Sequence, residues 1–162
     1  MIMTCLPENE DFICLIWQGP YIVSPDGQIL PLEDGQLGRH PAPIDVPQVG
    51  VYMVLGDHHV FGSRALLYIG RSIELSRRVS GHESWLSNEW RPEIYFAEVT
   101  SKRLPDIERL LIYAHSPPYN SSGVGGLGQM DPALRVWNTG SFFRLLPEVS
   151  SSHPWFSEVE DG

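Results

Sequence analysis

The chain has 162 residues, of which 42% are hydrophobic and 19% are charged, and it contains six Phe, six Tyr and five Trp. This composition predicts one globular domain with a packed core and excludes a disordered chain. The 11 basic and 20 acidic residues give a net charge of −9, which argues against a protein that coats nucleic acid through bulk electrostatics. The charge is uneven, because the segment 64–109 holds eight basic and seven acidic residues while the remainder carries −10.

Hydropathy and cysteine usage point to a cytoplasmic protein with no membrane partner. No apolar run approaches the roughly 20 residues that a membrane span needs, and the first ten residues lack the pattern of a secretory signal. Cys5 and Cys14 lack the Cys-x-x-Cys spacing of a zinc site. Both are therefore predicted to be ordinary thiols.

The first 48 residues predict an N-terminal extension. Two short β-like runs, 12–17 and 21–24, precede a Pro-Asp-Gly turn that leads into residues 28–30, a pattern typical of a small hairpin. The density of Pro, Gly, Asp and Glu over 31–47 predicts a connecting loop. The main unit is expected to begin near Gln48.

The centre of the chain predicts alternating strands and helices. Residues 49–55 and 65–69 are predicted strands joined by a long loop, and 93–99 is a third strand. Ser72 is a candidate N-cap for a helix that ends near His82, and an apolar stripe at helical spacing begins after Pro105. The order strand, strand, helix, strand, helix is typical of an α+β fold.

The predicted fold is therefore α+β, with a small central mixed or antiparallel β-sheet of about three core strands flanked by helices. A second hairpin is expected from 135–138 and 142–146, after an irregular stretch at 120–128. The predicted organisation is an N-terminal extension (1–48), a core (49–128), a C-terminal hairpin extension (129–149) and a mobile acidic tail (150–162).

Two predicted strands and a predicted helix hold residues whose side chains could take part in catalysis. If the strands pair, Tyr52 and Tyr68 share a surface, although tyrosines in neighbouring strands are more often packing residues. Arg78 and His82 are four residues apart and share a helix face. The guanidinium suits phosphate and the imidazole can pass a proton, whereas the alternative for both is a solvated helix face.

Glu108 lies within the apolar stripe of the second predicted helix. A carboxylate beside apolar residues is costly unless it binds a cation, and a hard divalent metal is the natural candidate. The alternative is a boundary glutamate that forms an ion pair with Arg103 or Arg109.

Taken together, these residues resemble the GIY-YIG endonuclease superfamily. Gly50-Val51-Tyr52 is similar to the first signature triplet and Tyr68-Ile69-Gly70 to the second. Arg78 and His82 stand ten and fourteen residues beyond the second tyrosine, as in the family. Glu108 matches the metal-binding glutamate, and Pro117-Pro118-Tyr119-Asn120 resembles the closing Pro-Asn element.

The resemblance implies a metal-dependent endonuclease that hydrolyses DNA phosphodiester bonds by water attack. Glu108 would hold one Mg²⁺ or Mn²⁺ ion and Arg78 would stabilise the developing charge. A tyrosine would activate the water, with His82 orienting the tyrosine network and Asn120 positioning phosphate or the Glu108 helix. The implied catalytic residues are Tyr52, Tyr68, Arg78, His82, Glu108 and Asn120, with Glu108 as metal ligand. The implied substrate-binding residues are Arg71 and Arg77.

The sequence departs from the family in three respects. Fifteen residues separate Tyr52 from Tyr68, against about ten in the family, so the loop with His58 and His59 is long. The net charge of −9 makes DNA binding depend on the arginine cluster or on a protein partner. Residues 1–48 and 129–162 match no part of the motif. The alternatives are a module that binds nucleic acid or protein without cleavage, and an RNA-cleaving or toxin-like effector.

Overall fold

The structure is a computed structural model, which describes residues 12–23, 29–33, 36–37, 49–73, 92–120, 130 and 133–152. These residues form eight strands and a helix, α1, at Leu104–His115. The strands are β1 (Phe12–Val23), β2 (Ile29–Glu33), β3 (Gln36–Leu37), β4 (Gly50–His58), β5 (Gly62–Ser72), β6 (Glu93–Glu98), β7 (Arg135–Gly140) and β8 (Glu148–Ser150).

All eight strands belong to one mixed sheet. Six of them follow the order β3-β2-β1-β6-β4-β5, and β7 and β8 join through β1. The pairing of β1 with β7 is parallel, and the other pairings are antiparallel. Strand β1 pairs with three partners, so the N-terminal part of the chain lies in the middle of the sheet.

The predicted fold, a sheet of about three core strands flanked by helices with hairpins added at both ends, is wrong. The physical reason is the burial of β1, whose inward residues Ile13, Leu15 and Trp17 have almost no exposed surface. A strand buried to this extent needs partners on both edges, because its backbone N–H and C=O groups cannot reach water. Both terminal segments therefore extend the central sheet instead of standing beside it.

The predicted strands at 49–55, 65–69 and 93–99 and the helix after Pro105 are confirmed, whereas the long loop expected between the first two strands is wrong, because β4 continues to His58 and β5 begins at Gly62. Strands β4 and β5 pair as a hairpin, β6 pairs with the other edge of β4, and α1 has a proline in its first turn. The helix ends where Ser116 adopts a left-handed conformation with φ 44° and donates its N–H to the Ile112 carbonyl at 2.7 Å. The two prolines that follow cannot continue the helix. Of the predicted helix at 72–82, only Ser72 and Ile73 are described, and Ser72 is the last residue of β5.

Other local predictions need correction. The predicted loop at 31–47 contains the end of β2 and the short strand β3. The predicted second arm of the C-terminal hairpin, 142–146, is not a strand, and β7 pairs instead with β8. Cys14 is disulfide-bonded, so the expectation of an ordinary thiol is wrong for this residue. Residues 121–129 and most of the predicted tail lie outside the described residues.

The core lies between the sheet and α1. Ile107, Leu110 and Leu111 on the inner face of the helix belong to the same buried cluster as Met53 of β4 and Ile69 of β5. Within the described part of the chain, no helix is long and apolar enough to cross a membrane.

A buried hydrogen bond fixes β7 against β1. The indole N–H of Trp17 donates to Oδ1 of Asn138 at 2.9 Å, and the Asn138 amide donates in turn to the Leu146 carbonyl at 2.8 Å. Polar groups buried at this depth are costly unless they are hydrogen-bonded, so these contacts favour one register of the parallel pair.

Candidate functional site

The two tyrosines meet across a glycine. Tyr52 of β4 lies directly opposite Gly70 of β5, and the rings of Tyr52 and Tyr68 are 5.9 Å apart at 35°. A Cβ atom on Gly70 would lie 2.6 Å from Cζ and Oη of Tyr52 and 2.7 Å from Cε1 of Tyr68. Only glycine leaves room for both phenol rings at this point of the strand.

Asn120 binds the backbone of Ile69 at the outer edge of β5. Its Oδ1 accepts the Ile69 N–H at 3.0 Å, and its Nδ2 donates to the Ile69 carbonyl at 2.8 Å. The preceding residue, Tyr119, donates its backbone N–H to the Leu67 carbonyl at 3.0 Å. The side chain of Asn120 thus imitates the backbone of a further strand and covers an edge that would otherwise be unpaired.

Glu108 reaches the end of β5 from α1. Its Oε1 is 3.4 Å from Nε of Arg71, and the two side chains are 23% and 46% exposed respectively. This ion pair is partly open to solvent, so it contributes little stability by itself. Its effect is to hold a carboxylate at the strand end, where a ligand from solvent can reach it. Arg103 and Arg109, the alternative ion-pair partners that the sequence predicted for Glu108, both pair with Asp106.

Three side chains that sequence analysis selected, each from a different segment of the chain, therefore contact three consecutive residues of β5. Asn120 binds the backbone of Ile69, Tyr52 crosses Gly70, and Glu108 pairs with Arg71. The end of β5 is the place where the candidate site is assembled.

The two halves of this site approach the strand from opposite sides. Side chains alternate along a strand, so Tyr68 faces one side of the sheet together with Tyr52, whereas Arg71 faces the side of α1. Tyr52 has no exposed surface and Tyr68 is half-buried. Arg71 therefore pairs with Glu108 on the face of the sheet opposite the two tyrosines.

Three predicted site residues, Arg77, Arg78 and His82, lie outside the described residues. The described residues include no group of three or more His, Cys, Asp or Glu side chains that could hold a metal ion. Among the described residues of the site, Glu108 is the carboxylate that could hold a metal ion, and Mg²⁺ commonly combines one or two carboxylates with ligands from substrate and water.

Sequence analysis missed two clusters near the turn between β4 and β5. His58 contacts the rings of His59, Phe61 and Tyr119, although only the length of this loop had been noted. The pair His58-His59, followed closely by Phe61, is the sequence pattern that could have indicated an aromatic cluster here.

The second missed cluster surrounds Arg64, which has a positive φ of 51°. Its guanidinium donates to Glu93 at 3.0 Å and to the Tyr95 hydroxyl at 2.9 Å. Burial, reinforced by the charge of Glu93, raises the pKa of Tyr95, so this phenol stays protonated as a hydrogen-bond donor. No sequence signal marks this arrangement, because Arg64 lies in β5 and its two partners lie in β6, about 30 residues further along the chain.

Comparisons with known proteins add no assignment. No protein-family profile, characterised protein or solved structure gives a significant match to the chain.

Proposed function

We propose that this protein is a divalent-metal-dependent endonuclease of the GIY-YIG type, which hydrolyses DNA phosphodiester bonds by attack of water. The observation that carries the proposal is the assembly at the end of β5, where Tyr52, Glu108 and Asn120 contact three successive residues. The spacing of these residues in the sequence does not require their meeting. Because the tyrosines and Glu108 lie on opposite faces of β5, the proposal requires the scissile phosphate to lie at the end of the strand, next to both faces.

In this proposal Glu108 holds the metal ion. Its carboxylate is 23% exposed and is oriented by Arg71, which leaves it accessible to an ion that brings water and phosphate oxygens as further ligands. A bound Mg²⁺ or Mn²⁺ would offset the charge that develops on the phosphoryl and leaving oxygens. Arg78, Arg77 and His82 keep the roles that the resemblance implies.

Of the two tyrosines, we assign Tyr68 to activation of the attacking water. A residue in this role must reach solvent and substrate, and Tyr68 is half-buried whereas Tyr52 has no exposed surface. Tyr52 then acts as a positioning residue, because its ring packs against Tyr68 above Gly70. Asn120 is also a positioning residue, since both ends of its amide bind Ile69.

The test is cleavage of plasmid, single-stranded DNA and RNA with Mg²⁺ or Mn²⁺, comparing the wild type with Glu108→Gln and Glu98→Gln. An amide oxygen is a poorer ligand for a hard cation than a carboxylate, so Glu108→Gln is expected to lose on the order of 10²-fold or more in rate. Glu98 is an exposed residue of β6 and its variant should cleave like the wild type.

The outcomes separate the candidate functions. Unchanged cleavage by Glu108→Gln under saturating Mg²⁺ contradicts the metal assignment. Binding without cleavage of any substrate favours the non-cleaving module, and cleavage of RNA alone favours the RNA-cleaving effector.

We also propose a cytoplasmic location, as the sequence predicts. The disulfide at Cys14 stands against it, since disulfides are rare in reducing compartments. Cell fractionation with thiol alkylation tests the location. Recovery in the cytoplasmic fraction supports it, whereas recovery of only the oxidised protein from an extracytoplasmic fraction contradicts it.

A further inference from the structure

Four aromatic side chains form a group at the turn between β4 and β5, and we call them the hairpin-tip rings: His58, His59, Phe61 and Tyr119. The His58 ring is at the centre. It stacks on His59 at 4.6 Å and 21°, and its distances to the rings of Phe61 and Tyr119 are 4.9 and 5.8 Å.

The central ring is fixed by the backbone of the turn. Nδ1 of His58 accepts the N–H groups of Val60 at 3.1 Å and Phe61 at 3.2 Å. This arrangement orients the His58 ring before any ligand arrives, so little entropy would be lost when a flat group stacks on its neighbours.

The outer members of the group are open to solvent. Phe61 is 64% exposed, Tyr119 is 38% exposed, and His59 is also exposed. The rings of these three residues cover one another only in part. Planar apolar surface therefore remains available for a ligand with a π face.

Positive charge lies beside the hairpin-tip rings. Nε of Arg144 donates to the Arg64 carbonyl at 2.7 Å and its Nη2 donates to the Ser63 carbonyl at 3.3 Å. These contacts are with neutral groups and leave the charge of Arg144 in place. Ser63 is two residues from Phe61, which is at most about 7 Å along an extended backbone.

The backbone is strained at Arg64, the residue that follows Ser63. Arg64 is held at φ 51°, a region that non-glycine residues seldom occupy. The guanidinium groups of Arg64 and Arg144 both lie 4.6 Å from the centre of the Phe143 ring, which also fixes their positions. Of the two, Arg64 is paired with the Glu93 carboxylate at 3.0 Å, whereas the described hydrogen bonds of Arg144 are with neutral carbonyls, so Arg144 is the cation that is available to a phosphate.

We infer that the hairpin-tip rings bind unpaired bases of a nucleic-acid strand whose phosphates lie against Arg144. Aromatic rings accept any base by stacking, and arginine beside them neutralises the backbone, which is the chemistry of single-strand binding. Paired bases are stacked inside a duplex and cannot offer their faces in this way.

The inference rests on the proposed function where it names a substrate, namely DNA with an unpaired segment next to the cleaved bond. Tyr119 joins the two places, because it contacts His58 through its ring and β5 through its backbone, one residue before Asn120. A strand stacked on the hairpin-tip rings thus lies along the edge of β5 that leads to the candidate site.

The experiment measures binding of the full chain to a labelled oligothymidylate of about 15 nucleotides by fluorescence anisotropy, in EDTA and at about 50 mM salt. Phe61→Ala is expected to weaken binding by about 5- to 100-fold, which corresponds to the usual contribution of one stacked base. Phe61→Trp should retain binding. Val60→Ala is the matched control, since Val60 is 68% exposed in the same turn but has no π face.

Circular dichroism and thermal unfolding confirm that each variant is folded. Wild-type protein that does not bind the oligonucleotide overturns the inference and leaves the turn as a protein-docking surface. Equal affinity of Phe61→Ala and wild type, or equal losses in Phe61→Ala and Val60→Ala, also overturns it. Because EDTA removes the divalent metal, ring-dependent binding by a protein that never cleaves supports the inference while the proposed nuclease fails.

Discussion

Gly70 illustrates how one residue determines the geometry of the candidate site. Its backbone is an ordinary strand, so the requirement for glycine comes from space and not from φ. The Tyr52 ring occupies the volume that a Cβ atom would fill, with Cζ and Oη both 2.6 Å from that position. A methyl group at position 70 must displace this ring or separate β4 from β5.

We therefore predict that Gly70→Ala destabilises the protein by about 1–3 kcal/mol, the usual cost of inserting a methyl group into a packed site. The loss of free energy of unfolding should be smaller when Tyr52→Leu is already present, because leucine does not extend to Oη. Urea unfolding of the two single variants and the double variant measures this coupling.

Gly50 provides the control for the coupling. A Cβ atom there would collide with the backbone oxygen of Ala97 in β6, and not with Tyr52. Gly50→Ala should also be destabilising, but its effect should add to that of Tyr52→Leu without coupling. Equal coupling energies for Gly50 and Gly70 would contradict the assignment of Gly70 to the tyrosine pair.

At the scale of elements, His115 connects the end of α1 to the segment between β7 and β8. Its Nδ1 lies 2.7 Å from the Leu111 carbonyl, and its Nε2 accepts the Leu146 N–H at 2.8 Å. The second bond requires Nε2 to be unprotonated, so the imidazole is neutral and Nδ1 donates. Burial lowers the pKa of His115, which favours the same neutral form.

This lowered pKa predicts a loss of stability in acid. Between the unfolded value of about 6.5 and the lower folded value, the unfolded chain binds the proton and the folded chain does not. The contribution of His115 to the free energy of unfolding is therefore complete above about pH 6.5 and falls as the pH drops below that value. Urea unfolding at about pH 7.5 and pH 5.5 measures the slope.

The His115→Leu variant identifies the residue responsible. It should cost about 1–3 kcal/mol at pH 7.5, because the Leu146 N–H loses its acceptor, and it should show a shallower pH dependence than the wild type. His59→Gln, which changes an exposed histidine, should keep the wild-type slope. An unchanged slope in His115→Leu would assign the acid sensitivity to other groups.

Which elements can be predicted from sequence depends on the distance between partners along the chain. The β4–β5 hairpin and α1 are determined by local signals, namely a β-branched and aromatic run at 49–55, Pro105 and the prolines after Ser116. The place of β1 is determined by distant partners, since Trp17 pairs with Ala97 and Cys14 with Trp137. Local patterns predict that β1 is a strand and contain no information on its neighbours in the sheet.

The candidate site shows the same limit. The resemblance selects Tyr52, Glu108 and Asn120 as a set, but not their contacts. The role of Asn120 follows from the edge position of β5, which the predicted fold did not contain. The separation of Tyr68 and Arg71 onto opposite faces could have been predicted from strand alternation, because their positions differ by three, an odd number.

At the scale of the whole molecule, a net charge of −9 opposes the approach of any nucleic acid. Glu158, Glu160 and Asp161 supply three of the acidic charges close to the C-terminus, in a segment outside the described residues. Ser151 continues the contact between the β7 and β8 segments, since its N–H donates to the Leu134 carbonyl at 2.8 Å and its hydroxyl accepts the Leu134 N–H at 2.7 Å. Truncation after Ser152 preserves these bonds, whereas truncation after Ser150 removes them.

We predict that truncation after Ser152, which changes the net charge from −9 to −6 by removing three acidic residues, strengthens DNA binding a few-fold at about 0.01 M salt and has little effect at about 0.15 M. The reason is long-range repulsion, which is screened as the Debye length falls from about 30 Å to about 8 Å. A full-length chain with the same three acidic residues moved to the N-terminus serves as the control and should bind DNA like the wild type. If the relocated chain instead binds as tightly as the truncated one, the C-terminal acidic residues compete with DNA for its site, since the total charge of the relocated chain is unchanged and repulsion alone would leave its affinity at the wild-type value.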